Sequence, residues 1–516
     1  MSTNAIEQIE SFQAYRDIPY GVLEEDIPHA VRKNFFNELS EIKNYYNIYK
    51  DGISFTTEGS NNDYIPSDIN FKKCKSILDK EVRFMFSKTP AIDVNLNDSN
   101  DEKQKDDNTV LNSFIDMVLD KNNFGRKLVQ AGKDCFIGKR VALVLNFNSE
   151  TGIELDFISP MEFYYETAGT DTLTKIVVFY TIVESTNKSE RQIKKKTYEL
   201  KNGWCYVSEK IYDGTGALLE TPIESMQTKF NYVPAVVIFN DGLTGETHGE
   251  SEINAIMNYE KGYSKLANAD IDAERKGMNA TRYVIDGSEE STRGLSTAPG
   301  AFWDIQSDQN GADQKDAKIG ILEPSMTYSE SLKTTLDRME NAMYSQLDVP
   351  NITSEQLQGV ITSGKTLKAL YWGLIVRCDE KMLAWEPALR FMTKAIIEGA
   401  KLYPETVKYY SNEALPDIEY VITVENKYPL PEDEIEEKSI DLAEINAQTM
   451  SRKSYMKKWR KLTDTQADKE LEQILFETQM FENSYTNQMY NEDFASNNQN
   501  EEKDKPLEEE EVTETE

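Results

Sequence analysis

The sequence predicts an α+β fold, mainly helical. Three observations carry that prediction. Apolar residues recur at helical spacing through most of 325–402. Between 141 and 239 the apolar period shortens to two, the period of a strand. A third striped stretch, Glu250 to Asn279, is separated from the first by short strand-and-turn runs.

The stretch 325–402 is the most organised. Leu332, Leu336, Met339, Met343 and Leu347 fall on one helical stripe. Asp348-Val349-Pro350-Asn351 stops that helix, because proline rejects helical geometry at the residue before it. A polar run follows to Gly364. Beyond it Leu367, Tyr371, Leu374, Cys378, Met382, Trp385, Leu389, Met392, Ile396 and Ala400 keep the helical period. At 1.5 Å per residue this second helix would reach roughly 55 Å, bent at Pro387 and ended by Gly399 and Pro404.

The rest follows in chain order. Residues 1–27 are polar, a short strand or arm. Pro28–Lys50 is an amphipathic helix stopped by Asp51-Gly52, and Asn70–Ser87 is a second. Asn95–Asn108 is a charged loop, and Val110–Cys135 is one helix. Val141–Phe147 and Ile153–Phe157 flank a turn at Ser149–Gly152 and form a hairpin. Strand-like runs continue at Ile176–Val183, Lys196–Leu200, Trp204–Tyr212 and Val233–Phe239, so 28–245 reads as an α+β domain. In the helix Glu250–Asn279, the small residues Gly262, Ala267, Ala269, Ala273 and Gly277 allow close approach of a partner helix. Its Asp270, Asp272 and Glu274 read as a solvated face rather than a metal site, with no histidine near. Arg282–Gly287, Ala301–Ile305 and Ile319–Leu322 are short strands, and Ile418–Val424 is another. Pro429 onward opens helices to about Phe481, and Asn491–Glu516 is an acidic, low-complexity tail.

Composition excludes several functions. With 90 acidic and 57 basic residues the net charge is −33, the reverse of a protein that grips phosphates. Acidity serves solubility, and it also suits a conduit through which DNA slides past like charge. No apolar run reaches membrane-spanning length, and Met1–Glu7 has no signal pattern, so the expected compartment is the cytoplasm. Cys74, Cys135, Cys205 and Cys378 form no C-x-x-C pair and read as buried thiols. His29 and His248 are the only histidines, which leaves no material for a His-based triad or metal cluster, and no catalytic motif appears. The sequence gives no catalytic, cofactor-binding or metal-ligating residue. One basic patch with aromatics, Arg452–Lys461, reads as an exposed helix face with Met456 and Trp459 turned inward, ahead of a nucleic-acid contact.

One match to a nucleotide-binding pattern has to be weighed. Gly359–Thr366 fits G-x-x-x-x-G-K-[ST], the phosphate-cradling P-loop, with Lys365 at the outer phosphates. That loop needs an apolar strand before its first glycine, and Asn351–Gln358 is mostly polar. A P-loop packaging ATPase is therefore the alternative reading.

The same residues carry a resemblance. Val349-Pro350-Asn351 with Ser354-Glu355, then Ser363-Gly364-Lys365-Thr366-Leu367-Lys368-Ala369-Leu370 opening a long helix, resembles the portal proteins of tailed bacteriophages. The siphophage type from phages of Gram-positive hosts is similar from about residue 28 to 485. Ile158-Ser159-Pro160-Met161-Glu162-Phe163 and Val233-Pro234-Ala235-Val236-Val237 fit the same pattern. The family usually has alanine where Thr366 stands, so one change creates the P-loop match. The resemblance implies a portal-type subunit in a closed ring, a dodecamer in the virion. Its regions would be an N-terminal arm (1–27), a wing (28–245), a stem helix (246–281) and a clip (282–324). A returning stem helix (325–347), a tunnel loop (348–363), a wing helix and strand (364–428), a helical crown (429–487) and a disordered acidic tail (488–516) would follow. It implies a structural role with no enzyme activity and no cofactor. The ring would sit at one capsid vertex, the head–tail connector, for DNA packaging, retention and ejection. Implied partners are double-stranded DNA without sequence preference, the terminase large subunit, the head–tail adaptor, and the major capsid and scaffolding proteins. No membrane partner is implied, and host cytoplasm serves during assembly. Asn351, Thr353, Gln356, Gln358, Ile361 and Thr362 would face DNA from the tunnel loop. Lys276, Lys333 and Arg338 would be the channel's weak phosphate contacts.

Overall fold

The computed structural model describes residues 18–54, 65–96, 102–169, 172–185, 187–243, 248–278, 281–293, 295, 303–307, 316–322, 327–352, 364–411, 415–416, 419–430, 434–460, 462 and 466–480. The chain divides into two compact units. The larger is Met1–Val360 with Lys368–Pro429, and the smaller is Ile361–Leu367 with Leu430–Glu516. Helix and sheet are mixed, as expected.

The larger unit opens with helices α1 (Tyr20–Glu24), α2 (His29–Asp51) and α3 (Lys73–Phe86), then strand β1 (Ala91–Leu96). Helices α4 (Glu102–Lys121) and α5 (Phe124–Gly138) follow. The hairpin β2 (Arg140–Asn148) and β3 (Gly152–Ile158) forms as expected, with Leu145 opposite Leu155. Strands β4 (Phe163–Ala168), β5 (Thr172–Val183), β6 (Gln192–Lys201), β7 (Trp204–Asp213) and β8 (Leu218–Gln227) then form an antiparallel sheet in sequence order. β9 (Ala235–Phe239) joins β2, giving the three-stranded order β3-β2-β9.

Strands β4–β7 of the five-stranded sheet are covered on both faces. Ile176, Val178, Tyr198 and Val207 point toward Ala142, Val144, Ala235 and Phe230. The alternate residues Val177, Phe179, Ile193 and Tyr212 meet Val22, Leu23, Ile27, Phe35 and Leu39 of the N-terminal helices. Neighbouring side chains on a strand leave by opposite faces, so consecutive apolar residues in β5 fill two cores.

Helix α6 (Glu252–Met278) leads to β10 (Thr281–Ile285), the one-turn helix α7 (Glu289–Thr292) and β11 (Lys318–Leu322). β10 and β11 pair antiparallel, and helix α8 (Ser329–Gln346) runs back to pack against α6. Helices α9 (Gly364–Leu370), α10 (Trp372–Leu402) and α11 (Pro404–Val407) follow. Strand β12 (Tyr420–Glu425) pairs with β1. In the smaller unit, α12 (Glu434–Asn446) and α13 (Arg452–Arg460) precede a further helix at 466–480.

Several expectations are corrected. The single helix at Val110–Cys135 is two, broken at Asn123, which takes a left-handed φ of 51°. The break has a purpose: Asn122 Nδ2 donates to the Val118 and Ile153 carbonyls, and its Oδ1 accepts from Leu155 N–H, each at 2.9 Å. An asparagine side chain thus ends α4 and holds β3. The charged loop at Asn95–Asn108 begins inside β1 and ends inside α4. Strands β1, β4 and β8 add to the expected elements; Ile92, Val94 and Leu96 alternate at period two in β1, whereas nearly every residue of β8 is exposed. The strand expected at Ala301–Ile305 is not formed over 303–305, and Ala301 and Phe302 lie outside the described residues. The long helix continues through Pro387, as expected, but does not run unbroken from Gly364. It is interrupted at Tyr371, whose ring stacks on Phe84 at 5.4 Å, with Tyr428 on Phe84 at 5.0 Å. All four cysteines are buried free thiols, as expected.

Candidate functional site

The residues singled out by the sequence lie on α6, α8, the segment after α8, and the helices that follow it. Their geometry begins with α6. Glu260, Asn268 and Asp272 recur at multiples of four on this helix, so they share one face. That face binds backbone rather than water. Glu260 accepts from the N–H groups of Lys73 and Cys74 at 2.9 and 2.7 Å, capping the start of α3. Asn268 pairs its amide with Ile69 N–H and carbonyl at 2.9 and 3.1 Å. Asp272 accepts from Ser67 N–H at 2.9 Å, and Arg275 reaches the Ile65 carbonyl at 3.3 Å. Asp272, expected on a solvated face, is therefore a buried fastener.

Helix α8 is fastened to the same region. Lys73 Nζ meets Glu340 at 2.8 Å, and Lys80 Nζ donates to the Tyr344 hydroxyl at 2.8 Å while lying 4.6 Å from its ring centre. Met339 faces Gly262 of α6: a Cβ there would lie 3.4 Å from the Met339 methyl. Met343 and Leu347 are buried, so the lower part of the expected stripe is core. The chain then leaves α8 through Asp348, at a left-handed φ of 50°, and buried Val349, whose N–H donates to the Tyr344 carbonyl at 3.0 Å. Asn351 is exposed and donates from Nδ2 to Asn341 Oδ1 at 2.9 Å. Thr353, Gln356, Gln358, Ile361 and Thr362 lie outside the described residues.

Lys333 and Arg338 are exposed on α8. Five residues apart, they leave the helix about 140° apart, so they do not share a face. Lys276 lies in the last turns of α6.

Where the chain returns, α10 carries an anchor that sequence reasoning missed. Arg377 and Lys381, one turn apart, reach two buried carboxylates, Glu81 of α3 and Glu252 at the start of α6. Arg377 Nε donates to Glu81 at 3.0 Å and its Nη2 to Glu252. Lys381 Nζ donates to Glu252 and, at 2.7 Å, to Asn240 Oδ1, and it lies 3.9 Å from the Phe136 ring centre. Asn240 Nδ2 completes the set with 3.1 Å to Glu252 and 2.8 Å to the Glu250 carbonyl. Two cations and two carboxylates leave the cluster neutral, the condition under which buried charge is tolerated. Burial works against the charge on both acids. For Glu252, Lys381 and Arg377 overcome it and hold the carboxyl down to about 2. For Glu81 burial wins over the pull of Lys381, and its value is raised. The available signal was modest: cations directly beside the stripe residues Cys378 and Met382, which puts their heads at the edge of the core.

Among the described residues no strand lies between α8 and Gly359, where the P-loop reading needs one. The described residues before Gly359 are helix α8 and the irregular turn to Ile352, and Gly364, Lys365 and Thr366 begin α9. Gly359 to Ser363 lie outside the described residues. In the smaller unit three cations of the basic patch are paired within the unit, and Lys461 lies outside the described residues. Lys458 pairs with Asp441 at 2.9 Å, Lys453 with Asp468 at 2.8 Å and Arg460 with Glu470 at 2.7 Å. Met456 is buried, and Trp459 donates its indole N–H to Asp441 at 2.6 Å. Among the described residues no three His, Cys, Asp or Glu side chains are grouped to hold a metal, and no helix is long and apolar enough to cross a membrane.

The model of the family described as phage portal protein, SPP1 Gp6-like, matches residues 29–483. The chain belongs to this family, a structural and non-enzymatic one. Among solved structures, the neck of an empty gene transfer agent particle, GTA, computed with C6 symmetry, is similar at 10% identity and a TM-score of 0.35, covering 75% of this chain and 88% of that one. The virion of a native gene transfer agent particle is similar at 11% identity and a TM-score of 0.31, covering 76% and 89%. No curated protein matches the chain.

Proposed function

We propose that the protein is the portal subunit of a tailed phage, assembled as a closed ring at one vertex of the capsid. Genome DNA is driven in through the ring's axis, retained there, and later released. The observation that carries this reading is the family match over 29–483, which spans the paired helices, the loop after them and the anchored helix behind it. Several features support it. Helices α6 and α8 enclose the insert 281–322 as two antiparallel rods, which suits a stem with a clip at its end. Behind the expected tunnel loop, Arg377 and Lys381 of α10 tie that helix to Glu252 at the start of α6. Loop residues Asn351, Thr353, Gln356, Gln358, Ile361 and Thr362 are uncharged, so they brush a phosphate backbone without trapping it. Lys333, Arg338 and Lys276 supply weak contacts from more than one face of the stem, in a chain whose net charge is −33.

The proposed partners follow from that position. The clip meets the terminase large subunit during packing and the head–tail adaptor afterwards, and the wing meets capsid and scaffolding proteins. The rival enzyme reading is tested directly by ATP hydrolysis. Purified protein is expected to hydrolyse no ATP above a blank, with or without Lys365→Ala. Turnover that disappears with that substitution would replace the portal reading by a motor.

A further inference from the structure

We infer that Phe84 is a clasp shared by the places where the chain leaves and re-enters the larger unit, so that freeing the chain at one of them loosens it at another. The larger unit gives up the chain after Val360, takes it back at Lys368 and gives it up again after Pro429. Tyr371 follows closely on the second of these points, and Tyr428 immediately precedes Pro429. Both tyrosines stack on the ring of Phe84, with ring centres 5.4 and 5.0 Å away and planes only 10° and 11° apart. Phe84, Tyr371 and Tyr428 all belong to the larger unit.

The ring is well placed for this. Phe84 is buried near the end of α3, one turn beyond Glu81, whose carboxylate holds Arg377 of α10. Helix α3 is therefore fixed, and the two tyrosines are attachments to it. Stacked rings attract beyond the apolar area they bury, and here one ring serves two partners. Tyr428 also donates its hydroxyl to Asp379 of α10. The first exit is drawn to the same place. A Cβ on Gly373 of α10 would lie 3.5 Å from that of Asp348, just after α8. Ile352, the last described residue before Val360, lines a cavity of about 350 Å³ together with Phe84, Tyr371 and Pro429. Atoms beside a cavity lack contacts on that side, so the stack carries much of the local cohesion. Losing one tyrosine uncovers part of Phe84 and leaves the other stacked on a looser ring. On the portal reading, the expected tunnel loop precedes Tyr371 and the expected crown follows Tyr428, so a push on one is felt at the other. That consequence rests on the portal reading; the clasp itself does not.

Limited trypsin digestion of the full chain tests the clasp, with the cuts mapped by mass spectrometry. Lys368 and Lys427 are exposed and place a cleavage site near each tyrosine, and exposed Lys201 at the end of β6 serves as the reference. Cleavage follows the population of locally opened chain, so Tyr371→Ala is expected to speed the cut after Lys427 at least about fivefold, and Tyr428→Ala the cut after Lys368 likewise. The cut after Lys201 should keep its rate. Tyr428→Phe keeps the ring and loses the hydroxyl, and should leave the cut after Lys368 at the wild-type rate. Alanine variants that speed only the cut beside the changed residue would show independent attachments and overturn the inference. Equal acceleration at Lys201 would show general loosening and overturn it too. The digestion reads each subunit by comparison with wild type, so its result is separate from whether the subunits form rings.

Discussion

At the scale of single residues, the cluster of Glu81, Glu252, Arg377 and Lys381 behaves as one unit. Removing one cation strands a carboxylate in the core. Arg377→Met is therefore expected to destabilise the fold by about 3–5 kcal/mol in chemical denaturation. Removing a matched pair leaves a neutral remainder, so Glu252→Leu with Lys381→Leu should cost less than the sum of the two single changes. A purely additive result would show that the groups are not coupled. The cluster also sets an acid limit. Glu252 is held at about 2 against an unfolded value near 4.5, so its stabilisation is complete above about pH 4.5 and is lost as pH falls toward 2. Asp134 has the opposite sign. Burial raises it to about 6, beyond what Tyr46 and nearby lysines offset, so keeping it charged costs stability above about pH 6, and the cost fades as pH falls toward 4. Asp134→Asn keeps an acceptor for Tyr46. It should raise Tm at pH 8, keep about half of that gain at pH 5 and lose most of it near pH 4, read by thermal melts at the three values.

At the scale of elements, α6 and α10 hold the larger unit together by different means. α6 uses polar side chains on backbone, and Glu260 does the work of a cap for α3. Glu260→Ala is expected to cost about 1–3 kcal/mol, with faster amide exchange at Lys73 and Cys74. α10 relies on contact with the hairpin. A Cβ on Gly399 would fall 2.1 Å from the Phe147 ring, so Gly399→Ala should cost about 1–3 kcal/mol by overpacking even though alanine favours helix. Unchanged stability in either variant would show that the contact is incidental. These elements also mark what the sequence made legible. Helices α2, α3, α6, α8 and α10 and the β2–β3 hairpin follow from apolar period, because each buries one defined face. β1 carries a short local signal, the alternation of Ile92, Val94 and Leu96 with Asp93 and Asn95, but its pairing with β12 across more than three hundred residues has none. β8 was hidden because it lacks a buried face. Gly399 read as a helix stop, whereas its reason is the ring of Phe147. The anchor charges were hidden because sequence does not tell a buried lysine from a solvated one.

At the scale of the whole molecule, the family and the broad fold were legible from the motifs around 349–370 and from the order of helices and strands. The grip of α6 on 65–74 was not, because Glu260, Asn268 and Asp272 look like any polar helix face until their partner strand of chain is placed beside them. The net charge of −33 and the ion pairs that already occupy Lys453, Lys458 and Arg460 both argue against tight DNA binding. A channel subunit needs that weakness, and it needs copies of itself to make a channel. Electron microscopy of the purified protein tests this most directly. The account predicts closed rings with an open axis wide enough for a DNA duplex; a protein that stays monomeric, or assembles with no central opening, would contradict it.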